Sequence, residues 1–285
     1  MAQKLKFGNG TWATKKGSTL AYNDENNNYK PLPFTTTRDS IATRVNKEGL
    51  IEVVGNDVPR IDYTDSAEGV LLLENAATNL FEYSEDFSNS YWSKGGQGSA
   101  VTTIVTADYA ISPDGTQNAT RVQFDAVGSS SLDRSNLVRN FSFTTGQTYS
   151  ISCWVKSTNG TNQVIQFRVA GVQVPEEQTA TSEWKLYTAT FTATALTTDQ
   201  FGMQIRGINS VNESDILIYG MQLELSNYPT SYIPTNGSSV TRQADTANGS
   251  GNSEVFNDSE GVLFADISAL ANDLTYRGIS LGDGT

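Results

Sequence analysis

The chain has 285 residues, a formal charge of −12, one cysteine and no histidine. Excess carboxylate opposes binding to nucleic-acid phosphates and anionic membranes, which attract clustered Lys and Arg, so neither is expected as a partner. Without histidine the commonest general base, the usual zinc ligand and the middle member of a Ser-His-Asp site are missing; the enzyme chemistry that survives is glycoside hydrolysis by a carboxylate pair.

The length suits two folded units with connecting segments, and a hydrophobic fraction of 37%, brought by the 24 Gly to about 45%, is globular. Cys153 permits no intrachain disulfide and reads as a small core residue. The start, MAQKLKFGNGTW, lacks the apolar stretch of a signal or membrane span, so a soluble cytosolic product is expected. On that reading the Asn-x-Ser/Thr triplets at Asn118, Asn140 and Asn236 are composition rather than glycosylation sites.

Residues 1–75 are polar and punctuated: Asn23-Asp24-Glu25-Asn26-Asn27-Asn28, then Pro31 and Pro33, then short apolar runs such as Gly49-Leu50-Ile51. Asn and Pro clusters favour turns and extended chain. An extended, irregular anchoring region that gains order from a partner is expected. Gly69-Val-Leu-Leu-Leu73 is apolar throughout, as for a strand covered on both faces.

Residues 76–235 read as successive strands. Tyr149, Ile151, Cys153 and Val155 alternate with Ser150, Ser152, Trp154 and Lys156, the period of a half-buried strand. Ile165, Phe167 and Val169 alternate with Gln166 and Arg168, and Phe201, Met203 and Ile205 with Gln204 and Arg206. In 215–225, Leu217, Tyr219, Met221, Leu223 and Leu225 share one face while Ile216 and Ile218 make the first half apolar on both sides, so this strand is expected to be central. The apolar faces of so many strands need two packed sheets, and an all-β, jelly-roll-like β-sandwich is the expected fold. A linker is expected over 236–260, around Asn248-Gly-Ser-Gly-Asn-Ser253. The opening strand of a further, truncated β domain is expected over 261–285.

Three segments together resemble a family of bacteriophage head-spike, head-fibre and tail-fibre proteins. The first is Ala42-Thr-Arg-Val-Asn-Lys-Glu-Gly-Leu-Ile-Glu52 with Val58-Pro-Arg-Ile-Asp-Tyr63 and Gly69-Val-Leu-Leu-Leu-Glu-Asn-Ala-Ala-Thr-Asn-Leu80. The family commonly carries Arg where this chain has Ala77. The second is Tyr83-Ser-Glu-Asp-Phe-Ser88, Trp92 and Ser112-Pro-Asp-Gly-Thr116. The third is Tyr219-Gly-Met-Gln-Leu-Glu224, Tyr228-Pro-Thr-Ser-Tyr-Ile-Pro-Thr235 and Val240-Thr-Arg-Gln-Ala-Asp245. The resemblance implies a carbohydrate-binding-module-like sandwich in a non-enzymatic virion structural protein, assembled in the host cytoplasm. Its implied partners are capsid, portal or tail proteins, sister chains in a homo-oligomer with a trimer favoured, and host surface glycan. Glu260-Gly-Val-Leu-Phe-Ala-Asp266 resembles the opening of the lectin domain that often follows in the family.

Trp154, Gln166, Arg168, Gln204 and Arg206 lie opposite the core-facing residues of their strands and form the candidate glycan-binding face. An aromatic plate with planar amide and guanidinium donors suits a sugar. Trp12, Trp92 and Trp184 read as packing residues. Asp86, Asp114, Asp125 and Asp215 offer carboxylates, but no loop has the Asp-x-Asp-x-Asp-Gly spacing of a calcium site, and neither metal nor cofactor is expected. Glu176-Glu177 is the dense carboxylate pair that the alternative, a glycan-degrading tail-spike hydrolase, would use; adjacent residues of extended chain point in opposite directions.

Overall fold

A computed structural model describes residues 5–6, 13–15, 18–23, 31–169, 176–193 and 198–249. Among these the chain is all-β, and no helix is long and apolar enough to cross a membrane. The chain divides into two compact units, one of residues 77–241 and one of residues 1–76 with 242–285. The expectations for Trp12 and for 261–285 lie outside the described residues.

The discontinuous unit begins with β1 (Leu5–Lys6), β2 (Ala13–Lys15), β3 (Ser18–Asn23) and β4 (Pro31–Thr37), with β3 pairing β1, β2 and β4. An antiparallel hairpin follows, β5 (Ala42–Val45) with β6 (Ile51–Val54). Its turn forms because Asn46 Oδ1 accepts from the amides of Glu48 and Leu50, and Gly49 takes φ 81°, which glycine adopts without a Cβ penalty. β7 (Ile61–Asp62) pairs β8 (Val70–Leu71). The apolar run 69–73 is not covered on both faces: Val70 is 48% and Leu73 47% exposed, because β8 is two residues long and pairs on one side only.

This unit holds a buried cluster of charge. Arg38, Arg60 and Arg242 are buried with Glu74 and Asp245. Arg60 donates Nη1 to Glu74 Oε2 (2.7 Å) and Nη2 to Asp245 Oδ2, and Arg38 donates Nη1 to Asp245 Oδ1 (2.8 Å). Arg242 Nη2 lies 3.3 Å from Glu74 Oε2. Arg38 also caps three carbonyls, of Ser40, Gly55 and Val58. Although burial works against it, the Arg60 guanidinium is held above its ordinary pKa by the Glu74 and Asp245 carboxylates.

Residues 77–241 form the sandwich. After β9 (Ala77–Asn79) come β10 (Ser93–Gln97), β11 (Ile104–Ala110), β12 (Ala119–Asp125), β13 (Arg134–Ser142) and β14 (Thr148–Ser157). Then follow β15 (Gln163–Arg168), β16 (Gln178–Ala180), β17 (Lys185–Thr192), β18 (Thr198–Arg206) and β19 (Glu213–Glu224). They make two five-stranded sheets, ordered β10-β13-β18-β15-β16 and β11-β12-β19-β14-β17. Apolar residues alternating along β14, β15 and β18 fill the space between them: Ile151, Cys153, Val155, Ile165, Phe167, Phe201, Met203 and Ile205 are all 2% exposed or less. Burial pushes the Cys153 thiol far up, leaving it an inert core residue.

β19 is central, paired on both sides, as its apolar first half implies. Its inward face changes sides midway. Ile216 and Ile218 enter the core before Gly220, and Met221 and Leu223 after it. Gly220 has φ 64°, and the register with β14 slips between Ser152 and Trp154, so a β-bulge adds one residue and flips the face. This corrects the expected single face: Leu225 is 57% exposed, and Leu217 and Tyr219 are buried on the outer side.

The residues expected as a linker, 236–260, include two more strands, β20 (Val240–Arg242) pairing β9 and β21 (Thr246–Asn248) pairing β4. Thr78 and Thr241 share a hydroxyl hydrogen bond of 2.8 Å.

Candidate functional site

The two sheets separate the five sequence-derived candidates. Trp154 is on β14, in the sheet centred on β19; Gln166 and Arg168 on β15 and Gln204 and Arg206 on β18 are neighbours in the other sheet. Trp154 is half-buried, across from Leu186 and Tyr219, and Tyr219 in turn packs on the Tyr232 ring at 5.5 Å. The aromatic plate is therefore not beside the planar polar groups. Sequence reading placed each residue on the non-core side of its strand but could not tell which strands pair.

The other four do form one surface. Ile165, Phe167, Met203 and Ile205 point inward, so Gln166, Arg168, Gln204 and Arg206 face out. Gln166 is directly opposite Gln204, and Gln204 Nε2 donates to Gln166 Oε1 at 3.2 Å. Arg168 Nη1 donates to Gln204 Oε1 at 3.5 Å, and its Nη2 lies 3.8 Å from Asp199. Both glutamines are buried, at 7% and 3% exposure, although they lie on the side away from the core.

β13 adds two residues that the sequence reading missed. Asn136 sits opposite Gln204 and Arg134 opposite Arg206. Leu137 and Val138 are both buried, and that pair of adjacent apolar residues obscures the period of two in β13. Arg206 donates Nε and Nη2, and Arg134 Nε, to the same Ser131 carbonyl, at 3.3, 2.9 and 3.1 Å. Burial and the Arg134 charge both lower the Arg206 pKa. Arg168 is lowered by burial, then by Arg134, with Asp199 opposing.

The carboxylates are engaged elsewhere. Glu177 accepts from Asn209 Nδ2 (2.8 Å) and the Ser210 amide (3.0 Å), while Glu176 is exposed, so the adjacent pair does not converge on one site. Asp86 accepts from the Asn89 amide, Asp125 from the Val127 amide, and Asp215 pairs with Arg121 at 2.6 Å. Asp114 fixes the 112–118 loop through Thr116 and Asn118 and accepts from the Tyr219 hydroxyl at 3.2 Å. Among the described residues no three His, Cys, Asp or Glu side chains could hold a metal ion. Trp92 is buried between Phe81 and Phe87 with Nε1 on the Tyr83 carbonyl; Trp184 donates to the Ile111 carbonyl.

The residues that carry the sequence resemblance have another role in the sandwich. Asn79 Nδ2 donates to the carbonyls of Met221 and Ile233, and its Oδ1 accepts from the amides of Phe81 and Leu223. Glu224 accepts from the Thr230 amide and hydroxyl, and Gln222 Oε1 from the Ile233 amide. Tyr232 OH donates to Glu85 and shares a hydrogen bond with Ser84. Burial raises the Glu85 carboxyl above its ordinary pKa, against the Tyr232 donation that lowers it. These residues clamp the bulged strand to the ends of the module.

No family model matches the sequence, and no curated protein matches it. Solved structures similar to the chain are carbohydrate-binding β-sandwiches. The CBM22-1 xylan-binding domain of Paenibacillus barcinonensis Xyn10C is 12% identical, covering 53% of this chain and 94% of that one, with a TM-score of 0.33. The tandem CBM22-1-CBM22-2 domain of the same protein is 11% identical over 79% of this chain and 98% of that one, at 0.34. The family 11 carbohydrate-binding module of Clostridium thermocellum, solved with a mixed-linked tetrasaccharide, is 13% identical over 60% and 96%, at 0.26.

Proposed function

We propose that this chain is a non-enzymatic structural subunit of a bacteriophage fibre or spike, and that its sandwich binds glycan through the outer face of the β18 sheet. The observation that carries the glycan reading is the row Gln166–Gln204–Arg168, whose planar donors and acceptors are joined by hydrogen bonds on the side of the sheet away from the core. Sugar hydroxyls both donate and accept, and amides and guanidinium groups in a fixed row meet them at little cost in side-chain entropy. The virion setting rests on the three motif segments. Exposed Ile41, Val53, Val70 and Leu73 in the discontinuous unit fit a subunit that buries them against sister chains, with a trimer favoured.

The test is a glycan array that includes host surface polysaccharide, probed with the full chain. The double variant Gln166→Ala/Gln204→Ala is expected to lose about tenfold or more in affinity, at about 1 kcal/mol for each lost hydrogen bond. Trp154→Ala is expected to leave binding unchanged. Loss of binding with Trp154→Ala alone would move the site to the other sheet, and a shortened polysaccharide product would establish the hydrolase instead.

A further inference from the structure

The same face carries a second feature that neutral-sugar recognition does not require. Arg134 and Arg206 are directly opposite each other on neighbouring antiparallel strands, and Arg168, on the far side of β18, faces Gly202, four residues along β18 from Arg206, and reaches back to Gln204. Like charges across a strand pair are destabilising. All three are partly buried, which strengthens the repulsion. The depressed pKa values of Arg168 and Arg206 reflect their burial first and Arg134 second.

Little within the sandwich offsets this repulsion. Among the described residues Asp199, at 3.8 Å from Arg168, is the one carboxylate paired with the three, so the local charge is three positive less one negative, or +2. Asp133, next to Arg134 in sequence, accepts from the Ser99 and Ser130 amides, Asp215 pairs with Arg121, and Glu177 with Asn209 and Ser210. The guanidinium groups are nevertheless held in place. The Ser131 carbonyl braces both Arg134 and Arg206 through Nε, and Gln204 orients Arg168. Bracing at Nε leaves the Nη groups of Arg134 to point away from the brace, the fork that meets a carboxylate or sulfate oxygen pair. A fixed cluster of positive charge in a chain of net charge −12 is not general adhesiveness, because the rest of the molecule repels the anions this patch attracts.

We infer that the ligand of this face is an acidic saccharide, whose carboxylate or sulfate group is taken by Arg134, Arg168 and Arg206 while its hydroxyls meet Gln166 and Gln204. The inference rests on the glycan-binding reading above and adds the charge class of the sugar.

The experiment titrates the full chain with oligogalacturonate, sulfated dextran and two uncharged counterparts, oligogalactan and plain dextran, across about 50 to 500 mM NaCl. At least one acidic probe is expected to bind about tenfold or more tighter than its neutral counterpart at low salt, with the advantage shrinking as salt rises. Arg134→Gln and Arg168→Gln are each expected to remove most of that advantage. Because they relieve repulsion, neither is expected to lower the melting temperature, which a purely structural role would do. Equal binding of acidic and neutral probes, lost in the Gln166→Ala/Gln204→Ala variant, overturns the charge assignment and leaves the glycan reading standing. Binding of none of the four probes, with none on the array, overturns both. Arginine variants that melt lower and keep the acidic preference also overturn the inference.

Discussion

Replacing Asp245 with alanine is expected to cost about 3–5 kcal/mol in the discontinuous unit, the usual result of removing one partner from a buried charge set. Its Oδ1 accepts from Arg38, its Oδ2 from Arg60 and from the Glu74 amide, and Arg242 Nη1 lies 3.7 Å away. Without it, Arg60 and Arg242 share the carboxylate of Glu74 and Arg38 loses its ion-pair partner. Hydrogen exchange reads the outcome locally: the Leu72 amide, which donates to the Arg60 carbonyl at 2.8 Å, should lose protection with its neighbours. Asp245→Asn keeps the shape and one acceptor and should fall between. Unchanged protection at Leu72 in the alanine variant would show that the cluster is not what orders this unit.

In the sandwich, the largest loss is expected from Phe201→Ala. Phe201 is fully buried, with ring centroids 5.1 Å from Phe191, 5.5 Å from Phe143 and 6.0 Å from Phe141. Truncation removes the transfer free energy of the ring, leaves a cavity and breaks two edge-on and one tilted aromatic contact, together about 3–5 kcal/mol. For a unit of this size that is roughly a 10 °C fall in melting temperature. A fall of under about 3 °C would mean that the two sheets close over the cavity.

The inward faces of β14, β15 and β18 were legible because each is a strict alternation of large apolar and polar residues. The first half of β19 was legible as central because it is apolar on both faces. The bulge was not, because the positive φ at Gly220 leaves no local pattern and the ring that crowds the position, Tyr232 at 3.2 Å from an added Cβ, lies elsewhere in the chain. The site was half legible. Alternation put Gln166, Arg168, Gln204 and Arg206 on the outside, but their grouping, and the separation of Trp154, follow from strand order that no local pattern encodes. The charge cluster was hidden in plain view. Arg60, Glu74, Arg242 and Asp245 all lie in motif segments, yet in a polar stretch such residues read as solvated, and only folding brings together groups some 185 positions apart.

The pairing of β9 with β20 means that the sandwich begins and ends at one place. In the language of gene architecture it is an insert: 77–241 interrupts a unit whose two parts lie on either side of it in the chain. Domains whose ends adjoin are readily exchanged, since a host unit sees only two neighbouring attachment points whatever lies between them. The motif residues that resemble those of other chains, such as Asn79, Gln222, Glu224 and Tyr232, hold the two ends of the sandwich together, while Arg134, Gln166, Arg168, Gln204 and Arg206 lie outside every motif segment. Changes on the outer face of the module, residue by residue or by wholesale replacement, therefore leave the interactions between its two ends in place.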